Sequence, residues 1–250
     1  MWQLIGARAT GTSHVTSGAP CQDREVFRVV DDADGGEAAI AVVCDGAGSA
    51  ALSDLGAELV CEALRATAAG FVCERGTTAL TRDDVVGWME DIQERIAALA
   101  EAENATPRDF ACTLLFLAAS DRNTVCAQVG DGAIVLNNGQ DLEVALWPEN
   151  GEYANQTFFV SQDDARDHLQ FARFGPVRDF VIFSDGLQRL ALNESERRPH
   201  PAFFRPLLET VRSAQALDRT KEQLEAFLIS DRVNSKTDDD KSIVIGCRVD

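Results

Sequence analysis

One stretch decides the fold prediction: Ala38-Ala-Ile-Ala-Val-Val-Cys-Asp-Gly-Ala-Gly48. Its nearly continuous apolar run predicts a strand buried on both faces, and the run ends in Asp45 and a glycine-rich turn. A second apolar run, Val181-Ile-Phe183, is followed by Ser184-Asp-Gly186, and three acids at 238–240 precede a third apolar run. Carboxylates at rigid strand ends, brought together from distant sequence, can form a cage for hard divalent cations.

Size and charge limit the possible functions. The chain has 250 residues, 45% of them apolar, which is enough for a full core; because no linker is evident, we expect a single domain over residues 1–250. The net charge of -18 argues against nucleic acid as a partner, since phosphate contacts need an excess of Lys and Arg. An acidic surface also concentrates divalent cations, although it serves equally well as a solubilising charge.

Cysteine usage and hydropathy indicate the compartment. The seven cysteines are an odd number without a CxxC pair, a pattern that suits a reducing cytosol. The amino terminus continues into polar residues rather than the apolar segment of a signal peptide, and no stretch approaches the roughly 18 apolar residues needed to span a bilayer. We therefore expect a cytoplasmic protein without a membrane partner.

The order of the predicted elements indicates an α+β fold. Strands are predicted at 2–9, 25–30, 38–44, 110–119, 124–129, 133–137, 142–147, 179–184 and 242–248. Helices are predicted after Ser49, from Thr81, around 163–171 within a polar excursion, and over 203–228 with a break near Ala216. Runs of strands interrupted by helix pairs predict antiparallel sheets with helices packed on the outer faces.

The Asp-Gly pairs at 45–46 and 185–186 allow two interpretations. Each pair alone is also a common turn dipeptide. Taken together with the acids at 238–240, they cluster carboxylates that repel each other unless a cation or a proton lies between them. Oxygen ligands without a His or Cys cluster indicate Mg²⁺ or Mn²⁺ rather than Zn²⁺. Two such ions can hold a bridging hydroxide and clamp a phosphoryl oxygen, which permits hydrolysis without a covalent enzyme intermediate.

Four motifs, in order along the chain, resemble those of the metal-dependent type 2C (PPM-type) serine/threonine protein phosphatases: Asp45-Gly-Ala-Gly48, Gly130-Asp-Gly132, Ser184-Asp-Gly-Leu187 and Asp239-Asp-Lys-Ser-Ile-Val244. The sequences Gly11-Thr-Ser-His14, Pro20-Cys-Gln-Asp23 and Asp109-Phe-Ala-Cys-Thr113 are more similar to a bacterial subgroup. The resemblance implies a central antiparallel β-sandwich flanked by helix pairs (α-β-β-α), with a binuclear metal site at one end of the sandwich.

The resemblance also implies metal-binding roles. Asp45 would bridge both ions, Asp185 and Asp239 would complete the shell of the first ion, and the carbonyl of Gly46 would join the second. Asp240 occupies a place usually held by Asn, which leaves Asp239 and Asp240 as alternative ligands.

Two further acids follow from the same comparison. Asp23 would order the waters of the second ion, and its neighbour is Gln22 where many relatives have Glu, so that ion would depend more on water. Asp109, four residues before Thr113, resembles an acid that holds a third, weaker metal in bacterial members.

Phosphate capture is the main departure from the family pattern. Many relatives carry an Arg about five residues before the acid equivalent to Asp23, and here that position is Gly18. His14, Arg8 or Arg24 could supply the missing positive charge, or the metals alone could hold the phosphate. His14 could also be the general acid for the leaving alkoxide, or simply a loop histidine bonded to backbone.

The residues and the resemblance together predict a Mg²⁺- or Mn²⁺-dependent phosphoserine/phosphothreonine protein phosphatase. Its partners would be a phosphorylated protein and an opposing Ser/Thr kinase, and we expect a monomer. One alternative is a catalytically weak, metal-dependent module that binds phosphorylated proteins, suggested by the missing Arg and by Gln22. Another is that the acids hold an ion with a structural role only.

Overall fold

Two five-stranded antiparallel sheets form the centre of the fold in the computed structural model, which describes residues 1–149 and 157–249. The first sheet, in spatial order, consists of β1 (Trp2–Ala9), β12 (Lys241–Arg248), β9 (Asp179–Phe183), β6 (Ala133–Asn137) and β7 (Leu142–Leu146). The second consists of β2 (Arg24–Asp31), β3 (Glu37–Cys44), β4 (Leu114–Ala119), β5 (Thr124–Val129) and β8 (Gln170–Phe174). A short separate pair joins β10 (Leu192–Asn193) to β11 (Arg198–Pro199).

Helix pairs cover the outer face of each sheet. The long helices α2 (Ser53–Arg75) and α3 (Arg82–Ala102) pack on the second sheet, and α5 (Pro201–Arg212) and α6 (Leu217–Leu228) pack on the first. The short helices are α1 (Thr12–Ser17), α4 (Gln188–Ala191) and α7 (Asp231–Asn234). Thr81 begins α3 in a capping box with Asp84, as expected for an acid in the first turn.

Strand β3 is buried on both faces, as its composition predicts. Ile40 and Val42 lie in the core beneath α2 and α3, whereas Ala41 and Val43 lie in the core between the sheets. The inter-sheet core also contains Ile182 from β9, so the two sheets pack face to face. The predicted α-β-β-α sandwich is therefore confirmed.

The structure differs from the sequence prediction at three places. The strand expected over 110–119 begins at Leu114, because Pro107–Phe110 forms a 3₁₀ turn. No helix is predicted between the first two strands, but this stretch contains α1. The helix expected around 163–171 is wrong: the chain makes successive turns there, and Gln170–Phe174 pairs with β5, whose edge would otherwise lack hydrogen-bond partners.

The remaining sequence predictions concern one polar segment, membrane-spanning helices and the number of domains. Residues 150–156, which belong to the polar excursion of the sequence, lie outside the described residues. In the described ranges, no helix has both the length and the apolar character to cross a membrane. The assignment of residues 1–250 to one domain stays a prediction.

Candidate active site

Strand pairing brings three distant acids together at one end of the sandwich. Asp45 follows β3, Asp131 lies in the turn before β6, and Asp185 follows β9. The register that pairs Ala133 with Phe183 places the β5–β6 turn beside the end of β9. One carboxylate oxygen from each of the three acids lies within 4.8 Å of the other two.

The backbone around Asp45 is fixed by neighbouring strands. Its N–H donates to Thr113 Oγ1 (3.0 Å), and its carbonyl accepts from the N–H of Thr113 (2.8 Å). A Cβ at Gly46 would lie 2.8 Å from the carbonyl oxygen of Gln22, so glycine is required for this close approach. Asp45 is therefore presented on a rigid strand end.

The three acids line a pocket of about 250 Å³, together with Gly46 and Asp239. Asp239 reaches it because β12 runs antiparallel to β9, which sets the start of one strand beside the end of the other. Four carboxylates thus line the pocket, and no Lys or Arg is among its described lining residues.

Burial and repulsion from neighbouring acids disfavour the charged forms of Asp45, Asp131 and Asp239, whose pKa values are all raised. Burial is the largest cause that raises the pKa of Asp45 well above its usual range, and the charges of Asp23 and Asp185 raise it further. Burial, and to a smaller extent the negative charge of Asp185, raises the pKa of Asp131 to about 6. Because like charges held this close favour protonation, a bound cation would restore the ionised state.

Unsatisfied oxygens indicate that the site fits a metal. Asp185 Oδ1, Asp23 Oδ1 and Gln22 Oε1 are buried and accept no hydrogen bond from the described residues. Buried oxygens without donors are expensive unless a ligand or water satisfies them. The pocket's carboxylate, amide and backbone carbonyl oxygens match the hard donors that Mg²⁺ and Mn²⁺ prefer.

Asp23 lies just behind the pocket, fully buried. Its Oδ2 accepts a hydrogen bond from Ser184 Oγ (2.6 Å), and Ser184 Oγ accepts in turn from the N–H of Ser242 (2.9 Å). Burial raises the pKa of Asp23 to about 8, against the lowering effect of the Ser184 hydroxyl. Ser184 therefore links Asp23 to the two strands that present Asp185 and Asp239.

Asp239 and Asp240 face different surroundings. Asp239 lines the pocket, and its Oδ1 accepts from the N–H of Asp240 (2.8 Å). The Asp240 side chain is 2% exposed and accepts from the N–H groups of Gly11 and Gln22, both at 2.6 Å. Of the two alternatives, the geometry favours Asp239 as the ligand.

His14 lies on α1, beside the pocket rather than among its lining residues. Its Nδ1 is 2.9 Å from Asp240 Oδ2, so its side chain is bonded to a carboxylate and not to backbone. Burial and Asp185 raise the pKa of Asp239, and the nearby charge of His14 opposes them. His14 is thus held close to the acid cluster.

Asp109 does not join the cluster. Its Oδ2 accepts from both the N–H and the Oγ1 of Thr106, each at 2.8 Å, and these bonds lower the pKa of Asp109. It lines a separate cleft of about 910 Å³ that shares Ala47, Ser49, Thr157 and Phe159 with the pocket. Arg108 is the basic residue among the described lining of that cleft.

The basic candidates for phosphate capture are engaged elsewhere. Arg8 pairs with Glu25 (3.1 Å), and Arg24 donates to the carbonyl oxygens of Cys21 (2.8 Å) and Asp23 (2.9 Å). Gly18 ends α1 with φ +74°, a left-handed conformation that disfavours an arginine side chain there.

The sequence pattern predicts no metal-binding role for Asp131, although the turn Gly130-Asp-Gly132 is one of the four motifs. The signal was present, since this acid also stands between two apolar strands. Its proximity to Asp185 depends on the pairing of β6 with β9, which no local pattern reveals.

Comparisons with known proteins agree with this geometry. The family model described as "Protein phosphatase 2C" matches residues 10–229. Serine/threonine-protein phosphatase 3 of Escherichia coli (strain K12) is 37% identical over 247 residues, which cover 98% of this chain and 97% of the relative.

Solved structures show the same fold. The catalytic domain of serine threonine protein phosphatase PstP, in complex with 2 manganese ions, superposes with a TM-score of 0.67 at 13% identity and covers 100% of both chains. Stp1 from Staphylococcus aureus gives a TM-score of 0.65 at 12% identity, covering 99% of this chain and 95% of that one. With the acid cluster at the end of the sandwich and a family match over most of its length, the chain belongs to the protein phosphatase 2C family of metal-dependent enzymes.

Proposed function

We propose that the chain removes phosphate from phosphoserine and phosphothreonine in proteins, using two Mg²⁺ or Mn²⁺ ions. The observation that carries this proposal is the convergence of Asp45, Asp131 and Asp185 within 4.8 Å. No described basic residue lines their pocket, so divalent cations are the partners that balance its charge. The name of the 37% identical relative and the two manganese ions of PstP support the same activity and cofactor.

The residues would divide between the two ions. Asp45 would be a ligand of both, and Asp185 and Asp239 would complete the first site. The carbonyl of Gly46 and water held by Asp23 would serve the second. When bound, the ions supply a water of lowered pKa and neutralise the phosphoryl oxygens, for direct in-line attack without a covalent enzyme intermediate.

A third, weaker ion fits Asp131 better than Asp109. Asp131 shares the pocket with Asp185, whereas the Asp109 carboxylate already accepts two hydrogen bonds from Thr106. Repulsion between Asp131 and Asp185 is the physical reason for an ion at this position.

The larger cleft is suited to the protein part of the substrate. Its volume of about 910 Å³ and the residues it shares with the pocket support a position there for the side chains that flank the phosphate. Arg108 is available there to contact an acidic group of the substrate. A phosphorylated protein as substrate implies an opposing Ser/Thr kinase; a monomeric state and a cytoplasmic location stay predictions.

The test is a phosphatase assay with Mn²⁺ on a phosphoserine peptide. Asp45→Asn removes the shared ligand, and we expect at least a roughly 10²-fold loss of turnover with an unchanged circular dichroism spectrum. Asp91→Asn is the matched control, since Asp91 is exposed on α3, lines neither cavity and should leave activity within about threefold. Undiminished activity of Asp45→Asn would refute the proposal.

Gly18 and Gln22 favour a second candidate, a metal-dependent module that binds phosphoproteins without turnover. Calorimetric Mn²⁺ binding together with no hydrolysis of any phosphopeptide would support that candidate. A metal with a structural role only would lower the melting temperature sharply when removed by chelator, whereas an ion at the sandwich edge changes it modestly.

A further inference from the structure

Two glutamine side chains hold the backbone of the turn that carries Asp131. The amide nitrogen of Gln128 donates to the carbonyl oxygens of Gly130 and Gly132, both at 3.0 Å. The amide nitrogen of Gln188 donates to the carbonyl oxygen of Asp131. Each of the three carbonyl groups of the turn is thus engaged by a side-chain amide.

The orientation of the Gln128 amide follows from its neighbours. Gln128 is fully buried on β5, and the carbonyl oxygens of Gly130, Gly132 and Trp147 lie within 3.5 Å of its nitrogen. Because carbonyl oxygens only accept hydrogen bonds, the amide must present its NH₂ group to them. Its Oε1 is buried and accepts no hydrogen bond from the described residues. Such an unsatisfied oxygen is costly, which indicates that the shape of this turn matters.

The turn needs this restraint because glycine flanks Asp131 on both sides. Gly130 has φ +102°, and a Cβ there would lie 2.6 Å from Thr113 Cγ2, so a larger residue does not fit. Glycine has more backbone freedom than any other residue. The turn therefore depends on hydrogen bonds from outside it for a fixed shape.

Gln188 connects the turn to the neighbouring acid. It begins α4, three residues after Asp185, which opens the preceding 3₁₀ turn. Its bond to the carbonyl of Asp131 therefore ties the backbone of one acid to the segment that carries the other. These are two of the acids whose carboxylate oxygens lie within 4.8 Å of each other.

We propose that Gln128 and Gln188 are positioning residues that hold Asp131 beside Asp185 for the most weakly bound divalent cation; this rests on the third ion of the proposed function. Neither glutamine is among the described lining residues of the pocket or the cleft, so both act through the turn. Replacing a group that orients a metal ligand typically changes metal affinity by roughly 10- to 100-fold.

The test measures Mn²⁺ affinity by calorimetry, which does not depend on turnover. Gln128→Met keeps the length of the side chain and removes the donor. We expect the weakest Mn²⁺ binding step to weaken roughly tenfold, while the two tighter steps stay within about twofold. Gln188→Met should have the same effect, and because Gln188 is partly exposed, this variant supplies the result if Gln128→Met does not fold.

Gln170→Met is the matched control. Gln170 pairs with Gln128 across β5 and β8, and its amide nitrogen donates to the carbonyl of Trp147 (3.0 Å) rather than to the turn. Its loss should leave all Mn²⁺ binding steps unchanged.

Two further measurements separate positioning from general stability. In an Asp131→Asn background, Gln128→Met should leave Mn²⁺ affinity unchanged, because the acid that it positions is gone. In the metal-free protein, amide hydrogen exchange over residues 130–133 should become at least about fivefold faster in Gln128→Met and stay unchanged in Gln170→Met.

Three outcomes overturn the inference. A wild type that binds only two Mn²⁺ ions has no ion for Asp131 to hold. Equal weakening of all binding steps, or the same loss in the Asp131→Asn background, means that the glutamines only stabilise the fold. Wild-type affinity in both Gln128→Met and Gln188→Met means that they have no role at the metal site.

The proposed function fails by a different result. If the wild type shows three Mn²⁺ binding steps but no Mn²⁺-dependent hydrolysis of a phosphoserine peptide, the phosphatase activity is refuted. A selective loss of the weakest step in Gln128→Met would then still support the positioning role.

Discussion

Strand β2 has a buried aspartate at each end, and the two have different surroundings. Asp32, just after the strand, accepts hydrogen bonds from the N–H (3.1 Å) and Oγ1 (2.8 Å) of Thr77 and from the N–H of Asp34 (3.0 Å). Asp23, just before the strand, accepts one from Ser184, and its Oδ1 has no partner within the described part of the chain.

The difference separates a structural end of the sandwich from a reactive end. At the far end, Thr77 also bonds to Ser120 (2.6 Å) and accepts from Asn123 Nδ2 (3.1 Å), so that three loops are joined. At the near end, acids cluster, and carboxylate oxygens of Asp23 and Asp185 lack donors within the described residues. Proteins keep such unsatisfied groups where a ligand satisfies them, at some loss of stability.

The largest expected effect on stability comes from removing the hydrogen bonds of Asp32 at the far end. Asp32→Ala leaves the buried N–H of Thr77 without its acceptor and opens a cavity, so we expect a loss of about 3 kcal/mol in the free energy of unfolding, measured with urea. Asp23→Asn is the comparison at the other end, and in the metal-free protein it should change stability by about 1 kcal/mol or less. Similar losses at both ends would contradict the distinction.

The reactive end should make the metal-free protein less stable as pH rises. The pKa of Asp131 is raised to about 6 and that of Asp23 to about 8, both from 3.8. An acid with a raised pKa stabilises the folded state below its unfolded pKa, and this stability is lost as pH rises through the folded value. Unfolding free energy without metal should therefore fall between about pH 4 and pH 8.

A variant isolates the contribution of one acid to this slope. Asp131→Asn should raise the stability of the metal-free protein at pH 8 by roughly 1–2 kcal/mol and flatten the pH dependence between about pH 4 and pH 6. Saturating Mn²⁺ should reverse the fall in the wild type, because the ion replaces the protons. An equal slope in the variant would mean that the repulsion lies elsewhere.

The sequence predicts what depends on local pattern. The apolar run of β3 specifies a strand buried on both faces, and a carboxylate directly after it must lie at a sheet end. The fold and the position of Asp45 at that end can therefore be predicted from the sequence. The placement of Asp131 depends on strand register, and the choice between Asp239 and Asp240 depends on which neighbour offers donors. Neither is visible without tertiary structure. Likewise, β8 forms by pairing with the edge of β5, and this pairing is not evident from the local sequence.

The smallest expected effect tests Gln22, whose amide oxygen is buried, unpaired within the described residues and part of the pocket lining. Gln22→Glu adds a charge to a site that already lacks compensating cations. We expect Mn²⁺ to bind about fivefold more tightly by calorimetry, close to 1 kcal/mol, while the metal-free protein becomes less stable.

Asn123→Asp is the matched control, because Asn123 also has a buried unpaired oxygen but lies at the far end of the sandwich. It adds the same charge where no ion is expected, so it should destabilise the protein and leave Mn²⁺ affinity unchanged. If both variants tighten Mn²⁺ binding equally, the gain reflects the overall charge of -18 rather than the position of Gln22. If Gln22→Glu alone does so, unsatisfied oxygens at one end of β2 mark where the metal binds.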